Sequence, residues 1–332
     1  MLKNTKNPKR PSRALVIFTV STTVLMVFIV VIILNFATIK DILVGMGYHP
    51  SKEMSEIRTS LELTDTGQRI FNAVMPELME KDLFNTTCRD HESETAVLGC
   101  YKGDRVYVYN VAEDELLGIR ELTSAHELLH AVYHRMPESE RRALLDSLSQ
   151  IYQENQDLLG EEIDLYEETQ KAEELYVRIG TEIKNLPENL ESHYATIFKN
   201  QDKIADFYNS YIAVFREIEK NLESLLEKAK ATEAKINEKI ATYEKDAESL
   251  NQEITEFNTC ASTPNCFTSN WAFNNKRNQL LAKRNNLNQA YEEINQKITE
   301  YNQIVTEYNQ NVLHGQALNL AINSATKVNQ PE

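Results

Sequence analysis

The sequence predicts a mainly α fold of the α+β kind. It combines a single N-terminal transmembrane helix, a small domain with a short β-hairpin or strand, and a long antiparallel coiled-coil hairpin. Three observations predict it. Glycine and proline are scarce, at 9 and 8 in 332 residues, so few turns can be built. Residues 14–36 carry no charge. From about residue 200 to 322, apolar residues recur at heptad spacing, and the stretch holds no proline or glycine except Pro264 and Gly315.

The first element is the apolar stretch Ala14–Phe36, which as a helix would extend about 35 Å, enough for a bilayer core. A cleavable signal has a shorter apolar region, about 7–15 residues, before a small-residue site. Lys3, Lys6, Lys9, Arg10 and Arg13 precede it and no acid does. Residues 1–13 therefore read as a cytoplasmic tail and the body as extracytoplasmic. Subtracting these five positive charges from the net −15 leaves −20 for the rest. Such an acidic body excludes nucleic acid as a partner, because phosphates would be repelled.

Residues 37–60 read as a connector, and a domain is expected over 61–198. Its first helix is predicted over Thr64–Lys81, capped by Thr64 or Asp65 and kinked at Pro76, with Ile70, Phe71, Val74, Met75 and Leu78 on one face. Arg105–Val111 alternates and is rich in β-branched and aromatic residues, which predicts a strand. Lys102-Gly103-Asp104 is its turn, and 94–101 can supply the hairpin partner. From about Glu113 the domain is helical. One helix ends at Met136-Pro137, the next runs past Ile151, and Gly160 and Gly180 bracket a third. Asn185-Leu186-Pro187 breaks the chain before a helix with His193 and Tyr194.

The hairpin is expected over 199–322, with its tip at 259–270 and a disordered tail at 323–332. One arm reads Ile218, Leu222, Leu225, Ala229, Thr232 and Ile236. After a four-residue stutter it continues Ile240, Tyr243, Ala247, Leu250, Ile254 and Phe257. The other reads Leu280, Leu287, Tyr291, Ile294, Ile298, Tyr301, Val305, Tyr308 and Val312, with Arg284 in one core slot. Two separate helices pairing with other chains is the alternative. Cys88/Cys100 and Cys260/Cys266 form two local pairs; an even count outside the cytoplasm favours disulfides over a four-cysteine zinc site. Trp271, Phe267 and Phe273 beside the tip can be contact points or can cap the last core layer.

The segment that carries chemistry is Ser124-Ala125-His126-Glu127-Leu128-Leu129-His130. Histidines four apart lie on one helix face and can reach one zinc ion. Glu127 beside them can take a proton from water activated by the metal. With 7 histidines in the chain, chance gives about 0.02 such matches. The competing reading is a buried amphipathic helix whose histidines pair with carboxylates.

This H-E-x-x-H stretch, with a strand upstream at Arg105–Val111, resembles the zincin superfamily of metallopeptidases over about residues 95–185. In zincins such a strand binds extended substrate along its edge. The variant with a third histidine six residues after the second is absent, since position 136 is Met. The chain is therefore similar to the gluzincin type, which implies a third ligand, a glutamate, on a later helix. Glu174 is the first choice, with Glu182 and Glu173 as alternatives. His134 is too far along the helix to share the ion. Tyr194, His193 and Tyr133 are candidate transition-state donors, Tyr194 being the one nominated.

The implied function is a membrane-anchored, extracytoplasmic zinc peptidase holding one Zn2+ per chain and acting on a peptide or protein. The alternative is a coiled-coil surface scaffold or adhesin with a structural or inactive zincin-like domain. The hairpin could bind a protein partner or self-associate.

Overall fold

The computed structural model describes residues 25–30, 32–33, 35–88, 97–163, 166 and 168–323. Of the span read as transmembrane, 14–24, 31 and 34 lie outside the described residues, as do the tails 1–13 and 324–332. Leu25–Val30 and Ile32–Ile33 are helical, and their large apolar side chains are exposed. Among the described residues no helix is long and apolar enough to cross a membrane.

The chain divides into two compact units. The first reaches Ile212 and resumes at Ala321; the second spans Ala213–Leu320. In the first, α1 (Phe36–Gly45) and α2 (Lys52–Ser60) occupy the stretch expected to be a connector. They belong to the domain, because Met54 and Ile57 of α2 are buried in its core. Ser51 caps α2 by accepting from the Met54 N–H at 3.1 Å. Asp41 of α1 is buried and pairs with Arg69 and Arg135.

The helix expected over Thr64–Lys81 is shorter. Capped by Thr64 as expected, α3 (Asp65–Val74) stops before Pro76. Proline lacks an N–H and disfavours helical backbone in the residue before it. Met75 accordingly turns left-handed at φ 44°. The chain then forms a strand, β1 (Glu77–Met79), and a short helix, α4 (Lys81–Thr87).

The predicted hairpin is present as β2 (Gly99–Lys102) and β3 (Arg105–Tyr109), paired antiparallel. Gly103 and Asp104, both at φ 61°, supply the positive dihedrals that a two-residue type I′ turn requires. β1 joins β3 in parallel, giving the order β1-β3-β2. The strand singled out in the sequence is thus the central one, with both edges occupied, and the edge opposite it belongs to β2. The Tyr109 N–H donates to the Leu98 carbonyl at 2.8 Å, and Gly99 faces Val108. Pairing alternates along an antiparallel ladder, so the main-chain N–H and C=O of Gly99 and Tyr101 point away from β3, toward the outer edge. A disulfide ties Cys100 of β2 to Cys88 at the end of α4.

The helices that follow are α5 (Ile119–Arg135), α6 (Glu138–Glu154), α7 (Gln156–Ile163), α8 (Glu168–Glu182) and α9 (Glu188–Tyr194). Gly160 and Gly180 bracket no helix; Gly180 lies inside α8. A Cβ there would stand 2.5 Å from the Tyr194 ring and 2.7 Å from Leu129, so glycine is kept for close packing rather than to end the helix. The core gathers Phe71, Val106, Val108, Leu128, Leu129, Tyr176 and Phe198 between α3, the sheet, α5, α8 and the segment after α9.

Helix α10 (Gln201–Ala261) starts in the first unit and continues into the second, where it is followed by α11 (Asn270–Ile322). Partners across the two helices run in opposite directions: Lys239 with Glu293, Glu253 with Lys276 and Lys283, Phe257 with Phe273. The hairpin is therefore antiparallel, as expected, and Cys260–Cys266 closes its tip. The seam of α11 follows the expected one at most positions: Leu287, Tyr301, Val305, Tyr308 and Val312 are half-buried, and the Tyr291 ring lies 6.3 Å from that of Tyr243. Leu280 and Ile294 are buried, but Tyr291 and Ile298 are exposed, and Arg284 lies on the outside. Lys276 and Lys283 of α11 reach Glu253 of α10 with their ammonium groups. Phe257, Phe267 and Phe273 pack on one another at 5.1–5.4 Å as a cap. Trp271 stays outside it, 75% exposed.

Candidate metal centre

The site is built on α5 and α8. Ala125, Leu128, Leu129, Ala131 and Val132 bury one side of α5. The small alanines and Gly180 let α8 approach closely. Tyr176, Val177 and Ile179 of α8 are fully buried against this core, which fixes the rotation of α8 about its axis. The face one turn back, with Glu173 and Glu174, then meets the histidine face of α5.

His126 and His130 turn their Nε2 atoms toward each other at 3.3 Å. Glu174 Oε1 lies 3.4 Å from His130 Nε2, and Oε2 lies 3.9 Å from His126 Nε2. One donor atom from each of the three residues falls within 4.8 Å of the others, a group that could hold a metal ion. The donor set fits zinc: ligands about 2.0–2.1 Å from a tetrahedral ion stand about 3.3–3.4 Å apart. Of the glutamates left open by the sequence, Glu174 is the one brought to both histidines. Glu173 instead holds the far side of His130, at 2.8 Å from Nδ1, and His134 Nε2 at 3.1 Å. Glu182 is turned to Arg178, which donates to both its carboxylate oxygens at 2.8 and 2.9 Å.

Electrostatics separates the two histidines. Burial pushes the His126 imidazolium well down, aided by His130 and Arg178. Burial acts the same way on His130. There the hydrogen bond to Glu173 and the charges of Glu127 and Glu174 outweigh it and push its pKa up to about 9. Glu173 is held below the usual carboxylate range by His130, although burial opposes this.

Glu127 is buried beside the histidines, with β2 lying against it. Tyr194 is placed elsewhere: fully buried, it stacks on Tyr176 and donates its hydroxyl hydrogen to the Tyr176 carbonyl at 2.6 Å. His193 lies between Glu140 and the Tyr176 hydroxyl. Tyr133 packs on Tyr176 with Arg141 over its ring.

Sequence reasoning missed the support of α5 at its C-terminal end. Arg135 reaches Asp41 at 3.2 Å and Asp104 at 2.7 Å, and also donates to Tyr101 Oη. The Tyr101 ring lies 5.4 Å from that of His134. One arginine thus ties α1, the β2–β3 turn and the histidine helix together. No local pattern announces it, since Asp41 and Arg135 are 94 residues apart.

Compared with family models, with curated proteins and with solved structures, the chain finds no match. The zincin resemblance thus rests on the motif.

Proposed function

We propose that the chain is a zinc-dependent peptidase anchored in a membrane by residues 14–36, with its body outside the cytoplasm. The observation that carries this reading is the convergence of His126, His130 and Glu174 from two helices, with Glu127 buried next to them. Among the described residues the group contains three protein donors, as an open catalytic site does. The two disulfides fit a compartment outside the cytoplasm. The hairpin would serve as a spacer or a surface for a protein partner or a second copy. The scaffold reading keeps the hairpin and drops the chemistry.

When bound, zinc supplies Lewis acidity, which acidifies water and polarises a carbonyl. The protein's own groups do the rest. Glu173 fixes the His130 ring through Nδ1, so that Nε2 faces Glu174. Glu127 is the general base and passes the proton to the leaving amine. An extended peptide would add along the outer edge of β2, using the main-chain groups of Gly99 and Tyr101.

Incubating the zinc-loaded chain with a mixed peptide library, with and without a chelator, tests the reading. Chelator-sensitive cleavage is expected. Glu127→Gln should keep one zinc per chain and lose about 10²–10⁴-fold in turnover. Cleavage by that variant at the wild-type rate would remove the mechanism.

A further inference from the structure

The contact between β2 and Glu127 assigns a role to a residue with no side chain. A Cβ built on Gly99 would stand 2.6 Å from both Cγ and Oε1 of Glu127, and 2.7 Å from Cγ2 of Thr123. Real Cβ atoms do not approach so closely, so the neighbour must move. Thr123 can yield little: it is β-branched, buried, and its hydroxyl donates to the Ile119 carbonyl at 2.7 Å. Nor can β2 lift away freely. Its pairing with β3 on one side and the Cys88–Cys100 disulfide next to Gly99 hold it down. Thr123 must give a little, and the longer, more rotatable Glu127 side chain must be displaced the most. Nothing in the backbone calls for glycine here: the positive-φ glycines are Gly103 and Gly118, and Gly99 is not among them.

We propose that Gly99 is a positioning residue for Glu127: the bare strand sets the distance of the carboxylate from the His126–His130–Glu174 group, and any side chain at 99 displaces it. The proposal rests on the peptidase reading for its catalytic consequence, but not for the packing itself. A misplacement of about 1 Å at a reacting group lowers turnover on the order of 100-fold. The three donors sit on α5 and α8, and none is among the atoms nearest a Cβ at position 99, so metal affinity should stay.

The test uses the full chain loaded with zinc. Gly99→Ala should lose about 100-fold in kcat, with KM within about 3-fold and one zinc still bound. Gly103→Ala is the matched control. It strains the same hairpin at a φ of 61°, yet its Cβ meets nothing within 4 Å, so kcat should hold. Equal losses in both variants, or a Gly99→Ala enzyme with wild-type kcat, overturn the proposal. A second arm needs no activity. The Tm loss caused by Gly99→Ala should shrink by at least half when Glu127 is already alanine, because two of the three closest contacts are then gone and only that to Thr123 remains. The same loss in both backgrounds overturns the assignment, even if the wild type cleaves nothing. If the wild type cleaves nothing while the coupling is found, the peptidase reading fails and the packing role stands.

Discussion

In the metal-free protein His130 carries a proton where a cation would bind. Burial alone would lower its pKa, but Glu173 at 2.8 Å from Nδ1 and the charges of Glu127 and Glu174 push it up to about 9. His126, held well below its ordinary value, is already neutral. A metal entering at pH 7 must therefore expel about one proton, and it does so from His130. The distance from pH 7 to about 9 is two units, which is about 100-fold in apparent affinity, or roughly 2.7 kcal/mol. Affinity should rise about tenfold per pH unit from 7 to 9 and level off above. The sign follows for stability too. His130 is raised above its ordinary 6.5, so its contribution to the metal-free fold is full below that pH and lost as pH rises through about 9. Calorimetric titration of zinc in two buffers of different ionisation enthalpy counts the protons, and chelator competition across pH 6.5–9.5 gives the slope. No proton release together with a flat affinity would refute the reasoning. Glu173→Gln should shift the plateau to lower pH, since the strongest of the raising interactions is removed.

Three substitutions test the stability of the helical frame. Asp41→Ala leaves Arg69 and Arg135 facing each other without their buried carboxylate; a loss of about 3–5 kcal/mol is expected in denaturant melts. Gly180→Ala should destabilise by about 1–3 kcal/mol through overpacking on Tyr194 and Leu129. In the same assay Gly160→Ala, whose Cβ would make an ordinary contact with Gln156 Cβ at 4.0 Å, should be neutral or stabilise by up to about 1 kcal/mol.

The features written locally were legible in the sequence. Heptad spacing and the dearth of turn residues foretold the hairpin. Alternation over Arg105–Val111 foretold a strand, and Gly103-Asp104 its turn. Histidines four apart foretold one imidazole face, because helical geometry alone places them there. The helix α3 is shorter than the apolar face over Thr64–Lys81 predicts, because Pro76 ends it rather than kinking it. Three positions expected in the seam of α11, Arg284, Tyr291 and Ile298, are exposed, because heptad spacing alone does not say which of two neighbouring columns packs against α10.

What the sequence determined by itself, then, was periodicity and the two-histidine face, both set by backbone geometry within a few turns. The tertiary structure decided everything that depends on one helix rotating against another. It chose Glu174 for the histidines, Glu173 for the His130 Nδ1 and Glu182 for Arg178, three glutamates alike in sequence. It also put β3 at the centre of the sheet and β2 at an edge, with Gly99 against Glu127. The physical reason is that a carboxylate's role is set by which side chain faces it. That in turn depends on how Tyr176, Val177 and Ile179 bury α8, a choice made by the whole core rather than by any short stretch of chain.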